Sequence, residues 1–435
     1  MKKKEKETIK KVTTDQAKIV KWLKVIVILC VAIIICELIF IGLKMYNRGQ
    51  AIAYVDTLAT TKEVEDGYIG VGSSDFKNSK FNDYSEEYEK AKLVKYDKDH
   101  NIVFETAYTK GFASYFNDVA ETDDGFIAVG AGQYSEQQVT DNATDGLIVL
   151  YDKEGNQLNS KTLQIVGDTT FTKVAVLDDG YLVIGQSILQ NMVLGTDPNG
   201  GAIMVKYDKD LNEVWRTNYG GSKSGIFNDL YVEDDAIYVV GKDATRYGIF
   251  VKYDRDGNRQ FVKNYEYTDT IGFSAIDKIG DDYVVVGSRT MNIDAEDEDK
   301  KTVALVVKYD ADGNIIFEQT YKVNQNARFN SVLVDNNEIV VVGHTYKKDE
   351  EESTDSYNVL RYSGLFAKYS ADGDVIVEQE ETGSRDIYFS DIAVVGDEYQ
   401  IVGQTSAKEL GGNNKDLKSY FLYYDKDGKK LRYFS

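Results

Sequence analysis

Apolar and polar residues alternate along most of this chain in short bursts, and one burst recurs more plainly than any other: Ile249 to Asn258, IFVKYDRDGN. The alternation predicts a half-buried β-strand, and the Asp, Asp, Gly and Asn in its second half predict a tight turn. The phrase returns with its tyrosine at Tyr96, Tyr151, Tyr207, Tyr253, Tyr309 and Tyr424, and in a degenerate form at Tyr369, so that copies lie 46 to 60 residues apart. Upstream of each copy an apolar run ends in glycine, at Gly72, Gly130, Gly185, Gly241, Gly287, Gly343 and Gly403. Fourteen residues before each glycine stands a Phe, at Phe116, Phe171, Phe227, Phe273, Phe329 and Phe389, with Leu58 in the first copy. Spacing that holds in all seven copies identifies an internal repeat.

Each repeat predicts four strands, A to D. In the fourth these run from Phe227 to Val232, Ala236 to Gly241, Gly248 to Asp254 and Arg259 to Tyr265. Acidic turns such as Glu233, Asp234, Asp235 join A to B. The Asp-x-Asp-Gly-Asn turns join C to D, their glycine free to take the left-handed conformation of a tight hairpin. Seven such units predict an all-β, seven-bladed β-propeller of four-stranded antiparallel blades, a closed ring with only short edges.

The apolar strand ending in Gly, the VKYDxDGN phrase and an aromatic in strand D (Phe104, Trp215, Phe261, Phe317) resemble bacterial seven-bladed propeller repeat proteins over roughly residues 50 to 435. The resemblance implies the fold and no specific activity. WD repeats do not fit, since the only tryptophans are Trp22 and Trp215.

The N-terminus breaks the pattern. Val25 to Leu43 is nineteen residues interrupted only by Glu37 and Gly42, and a helix of that length covers roughly 28 Å, close to a bilayer's hydrocarbon core. The expected organisation is a Lys-rich cytoplasmic tail (1–24), a transmembrane helix (25–43), a short linker (44–56) and a propeller ectodomain (57–435). A cleaved signal peptide is the alternative, disfavoured by the length of the run and the lack of a small-x-small site after it. Leu29 and Ile35, before Cys30 and Cys36, do not suit a lipobox. Nine Lys precede the run, so the tail is expected in the cytoplasm and the propeller outside, at the cell membrane. Two readings of Glu37 stay open: a protonated or snorkelling carboxyl, and a contact with a partner helix.

Composition narrows function mainly by exclusion. Residues 1 to 46 carry +6, so of the formal −21 the remainder carries −27. A body this acidic repels nucleic acid. Two His in the whole chain leave little supply for His-based metal sites or Ser-His-Asp triads. Both cysteines fall in the apolar run, so no disulfide framework is expected in the propeller. The Asp-rich turns resemble half a calcium loop but lack its later ligands and its bidentate Glu, and His100 and Leu211 replace the turn glycine in two copies. The acidic run Asp294 to Asp299 reads as a solvated tip. No catalytic residue, metal ligand or cofactor is expected.

Strand direction places the A–B and C–D turns on one face of the disc and the B–C and D–A loops on the other. The loop face varies, with glycine-to-tyrosine separations of 24, 21, 22, 12, 22, 26 and 21 residues, and variable loops on a rigid scaffold are where specificity resides. Its aromatics include Phe76, Phe81, Tyr84, Tyr88, Tyr346, Tyr357 and Tyr362. Of these, Tyr84, Tyr88, Tyr357 and Tyr362 are the candidate binding residues, against the plainer reading of loop packing. The residue after each anchor Phe is a small polar group in six copies, with Asn117, Asn228 and Asn330 the strongest ligand candidates; satisfying backbone groups is the plainer role. These features point to a membrane-tethered extracytoplasmic binding or scaffold protein whose loop face engages a protein or surface glycan. The alternative is a glycan hydrolase or lyase using paired carboxylates on the same face. A quinone-dependent dehydrogenase is less favoured, because the repeats lack regular Trp.

Overall fold

A computed structural model describes residues 56–76, 88–165, 167–188, 200–220, 225–243, 247–265, 270–291, 301–321, 326–349, 359–412 and 417–434. The chain divides into two units, Met1–Tyr54 and Val55–Ser435. The first, with the expected transmembrane helix at 25–43 and Glu37, lies outside the described residues. Among the described residues no helix is long and apolar enough to cross a membrane.

The second unit is a seven-bladed propeller. Seven four-stranded sheets follow one another in sequence, each an A-B-C-D meander. The A strands, Asp56–Val64, Ser114–Thr122, Asp168–Leu177, Ile226–Val232, Thr270–Ile279, Asn326–Asp335 and Ile387–Val395, form the inner ring. Each packs on the next, and the last packs on the first. In blade four the four strands are Ile226–Val232, Ala236–Lys242, Gly248–Asp254 and Arg259–Tyr265, within one residue of expectation.

The fourteen-residue spacing has a direct cause. Anchor and glycine are cross-strand partners: Phe116 faces Gly130, Phe227 faces Gly241 and Phe329 faces Gly343. Immediately after each anchor the A strand carries a β-bulge, as between Phe116 and Asp118. The bulge drives a carbonyl of strand A against the glycine, so that a Cβ at Gly130 would fall 2.0 Å from the Tyr115 oxygen. Only glycine fits there. The motif tyrosine completes the unit by meeting its blade's anchor edge-to-face, at 6.3 Å for Phe116–Tyr151 and Phe227–Tyr253 and 6.4 Å for Phe273–Tyr309.

One expectation is corrected. Strand C is not half-buried: Ile249, Phe250 and Val251 are all fully buried, because blades stack face to face and cover both sides of the sheet. The polar member of the phrase, the Lys before Tyr-Asp, instead reaches the A–B turn acid of its own blade, as in Lys206–Asp179 at 2.6 Å and Lys308–Asp282 at 3.1 Å. The alternation therefore records an ion pair rather than a solvated face.

The C–D turns are self-contained. In six of the seven the first Asp accepts two backbone N–H groups with one oxygen, as Asp254 does from Asp256 (3.0 Å) and Asn258 (2.8 Å), and where an Asn follows, the second oxygen accepts its amide, as from Asn258. In blade six the Ser370 hydroxyl accepts the two N–H groups instead. The turn glycine then packs under the strand-D side chain of the preceding blade: a Cβ at Gly155 would meet Phe104, at Gly257 Trp215 and at Gly373 Phe317. This explains both departures from glycine. Blade two has Asn159 where its neighbours have an aromatic, and Leu211 of blade three, 1% exposed at φ 63°, fills the space. Blade seven has Arg432 there, and His100 of blade one fills it, stacking on Phe434 at 4.3 Å and Tyr68 at 5.0 Å with Nε2 2.5 Å from the Tyr423 hydroxyl. The ring is thus closed between complete blades, sealed by Leu58, Val94, Val402, Phe421 and Tyr423.

Candidate functional site

Two groups of polar and aromatic side chains lie at opposite ends of the central channel. At the turn-face end, a cavity of about 380 Å³ is lined by the C-terminal halves of the A strands of blades two to four, with Lys62 of blade one. The residues two beyond the anchors meet there. Lys173 Nζ lies 3.7 Å from Asp118 and 3.9 Å from Asp229, and Asp391 lies 3.6 Å from Lys62 and accepts from Thr60 and Ser331. Burial works against the Lys173 ammonium, but the surrounding carboxylates of Asp118, Asp229 and Asp391 outweigh it and hold the amine charged. Asp118 and Asp229 each also accept a backbone N–H from the next blade, from Val174 and Ile276, both at 3.0 Å. The cluster therefore ties blades together across the channel.

The loop-face group is different in kind. Strands B and C of blade six, Glu338–Lys348 and Leu360–Ser370, run eleven residues each, with Tyr346 opposite Tyr362 and His344 opposite Gly364. On this surface lands Tyr388, from strand A of blade seven. Tyr362 and Tyr388 have ring centroids 4.5 Å apart, and Tyr346 and Tyr362 5.6 Å, both pairs tilted by 33°. His344 touches Tyr362 and Tyr388, each at 5.6 Å, and its Nδ1 lies 3.1 Å from the Asn330 amide nitrogen. All four rings are partly exposed. Burial, helped by Arg328, pulls the His344 pKa down to about 4, so the imidazole is neutral at physiological pH. Asp386 accepts the Tyr362 N–H at 3.1 Å. Arg361 lies 2.7 Å from Asp349 and 3.9 Å from Asp386.

The structure brings two of the candidate residues, Tyr362 and Asn330, into this cluster. Asn117, Asn228 and Asn330 are the bulge residues, and each donates its amide to the anchor carbonyl of the next blade, Phe171, Phe273 and Phe389, at 2.6 to 2.7 Å. Tyr84, Tyr357, Phe81 and the run Asp294 to Asp299 lie outside the described residues, as do the side chains of Phe76 and of Tyr88, which begins strand C of blade one. Sequence reasoning missed His344 and Tyr388, and missed the channel ions. The signal for both was available in the columns beside the anchors: position −1 reads Thr57, Tyr115, Thr170, Ile226, Gly272, Arg328, Tyr388, and position +2 reads Thr60, Asp118, Lys173, Asp229, Ala275, Ser331, Asp391.

No protein-family model matches the sequence, and neither does any curated protein. Solved structures do match in shape. Sqt1 from Chaetomium thermophilum aligns over 88% of this chain and 89% of its own at 11% identity, TM-score 0.47. A puromycin hydrolase aligns over 87% of this chain and 54% of its own at 9% identity, TM-score 0.51. The extracellular domains 1–2 of Drosophila Semaphorin 1b align over 81% and 85% at 7% identity, TM-score 0.42. At such identities the likeness is one of fold alone.

Proposed function

We propose that this protein is a membrane-tethered, extracytoplasmic binding or scaffold protein that engages a glycan or protein partner through its loop face. The observation that carries the reading is the partly exposed ring cluster of Tyr346, Tyr362, Tyr388 and His344. Aromatic side chains with a polar edge supply large contact area at low conformational cost. The opposite face offers a partner much less, since each turn satisfies its own polar groups. Two carboxylates beside the cluster, Asp349 and Asp386, are ion-paired to Arg361, and Asp386 also accepts the Tyr362 N–H, which is a positioning use rather than an acid–base one. The tether rests on the apolar run and the Lys asymmetry of the sequence.

The two parts of the reading are tested separately. In intact cells, external protease should digest the propeller while an epitope at residue 2 stays protected; the mature chain free in the medium, starting beyond residue 44, would refute the tether. A photo-crosslinking residue at position 362 should trap a cell-surface partner and one at position 256 should not. The reverse result would invert the face.

A further inference from the structure

The blade repeat shows what the tyrosine cluster is not for. The column that holds His344 in blade six holds Ser73, Ala131, Gln186, Lys242, Ser288 and Gln404 in the others, and the column of Tyr388 includes Thr57, Thr170 and Gly272. Blades with these residues form the same paired A and B strands. The fold therefore does not require rings there, and three tyrosines from three strands of two blades have been brought together at a partly exposed surface for another reason.

From this we infer that the Tyr346–Tyr362–Tyr388 ladder is a subsite for an uncharged, β-linked hexopyranose chain, a deepening that rests on the loop-face reading above. A pyranose with equatorial hydroxyls has flat C–H faces and a polar rim, and a phenol has an apolar face and a polar edge, so the two stack with both kinds of surface matched. The ladder offers partly exposed phenol rings beside hydrogen-bonding groups that carry no charge: three phenol hydroxyls and the His344 imidazole, which the Asn330 amide, itself bonded to the Phe389 carbonyl, holds at 3.1 Å. A sugar hydroxyl both donates and accepts, and phenols and a neutral imidazole together do both. The formal −21 of the whole chain disfavours polyanionic glycans at long range. A protein partner fits less well, because a stable interface needs about 800 Å² per partner and four side chains supply only part of that.

The test uses the full chain in a sugar-free detergent, titrated with cellohexaose and followed by tyrosine resonances and calorimetry. Saturable binding is expected, weakened about tenfold, or about 1.4 kcal/mol, by Tyr362→Ala and by Tyr388→Ala, and changed less than about threefold by Tyr362→Phe, which keeps the ring. Charge reversal at Asp254 and Asp310 on the turn face should leave it unchanged. Circular dichroism and melting confirm that each variant is folded, and the Phe variant keeps the test decisive if an Ala variant is not. No binding of cellohexaose, or binding indifferent to the tyrosines, overturns the inference. If cellohexaose fails while position 362 still crosslinks a cell-surface protein, the glycan is wrong and the face is right; if both fail, the loop-face reading falls with it.

Discussion

The two faces of this disc vary in opposite ways. On the turn face seven copies of one hairpin recur, and the two that replace the turn glycine, at His100 and Leu211, direct the odd side chain inward. Leu211 fills the room left by Asn159, and His100 the room left beside Arg432. Variation there is compensation between neighbouring blades. On the loop face, Tyr346, Tyr362 and Tyr388 depart from the repeat toward a partly exposed surface; blade two shares a tyrosine in the Tyr388 column, Tyr115, but among the described residues no second cluster of three tyrosines forms on this face. Departures that restore packing belong to the fold, and departures that leave rings at the surface are the ones the proposed binding role rests on.

The sharpest way to stress this contrast is Lys173→Met at the turn-face end of the channel. It leaves Asp118 and Asp229 buried without their counter-ion, which should cost about 3 kcal/mol or more in chemical denaturation while partner capture by the folded variant stays intact. A stable variant that loses capture would move function to the channel.

His344 gives the loop face its own pH signature. Its folded pKa of about 4 lies below the ordinary histidine value of 6.5, so the unfolded chain takes up the proton first as pH falls. The stability is fully present above about pH 6.5 and is lost progressively down to about pH 4, by up to about 3 kcal/mol. A His344→Gln variant should show a flatter stability profile between those limits; an unchanged profile would mean that the ring is not held neutral by its surroundings.

Restoring the repeat consensus with Leu211→Gly should destabilise. Relief of the left-handed backbone is worth about 1 kcal/mol, against about 3 kcal/mol for emptying a filled core site, a net loss of about 2 kcal/mol readable from the denaturation midpoint. A gain in stability would show that the inward compensation is not real.

The smallest effect belongs to the turn aspartates. Bonds from Asn258 and Asn314 hold the Asp254 and Asp310 carboxyls below the ordinary aspartate range, so what they contribute is present above about pH 4 and lost as pH falls further. Asp254→Ala and Asp310→Ala should therefore lower the melting temperature slightly at neutral pH, and by less as pH falls below about 4.

Much of the fold was legible because its signals are local. The Phe-to-Gly spacing is a cross-strand pair within one hairpin, and the turn residues dictate their own geometry, so blade-four strands fell within a residue of expectation. What was not legible lies between blades. The Lys of the repeated phrase looked like a solvent-facing residue until the sheet proved to be covered on both sides. His100 and Leu211 were readable only as replacements of the turn glycine because the side chains they complement, Arg432 and Asn159, stand one blade away in the ring, and for His100 at the far end of the chain. The site divides in the same way. Tyr362 stood out as a loop aromatic, whereas Tyr388 and His344 gain meaning only where blade seven meets blade six.

The central claim is that binding resides on the face where variation is exposed. The direct measurement is capture of one partner, identified by crosslinking from position 362, by two folded variants side by side. One carries Tyr346→Ala, Tyr362→Ala and Tyr388→Ala; the other carries Lys at Asp254, Asp256, Asp310 and Asp312. The account predicts that the first loses capture by about tenfold or more while the second stays close to the native protein. Loss in the second with retention in the first would contradict it.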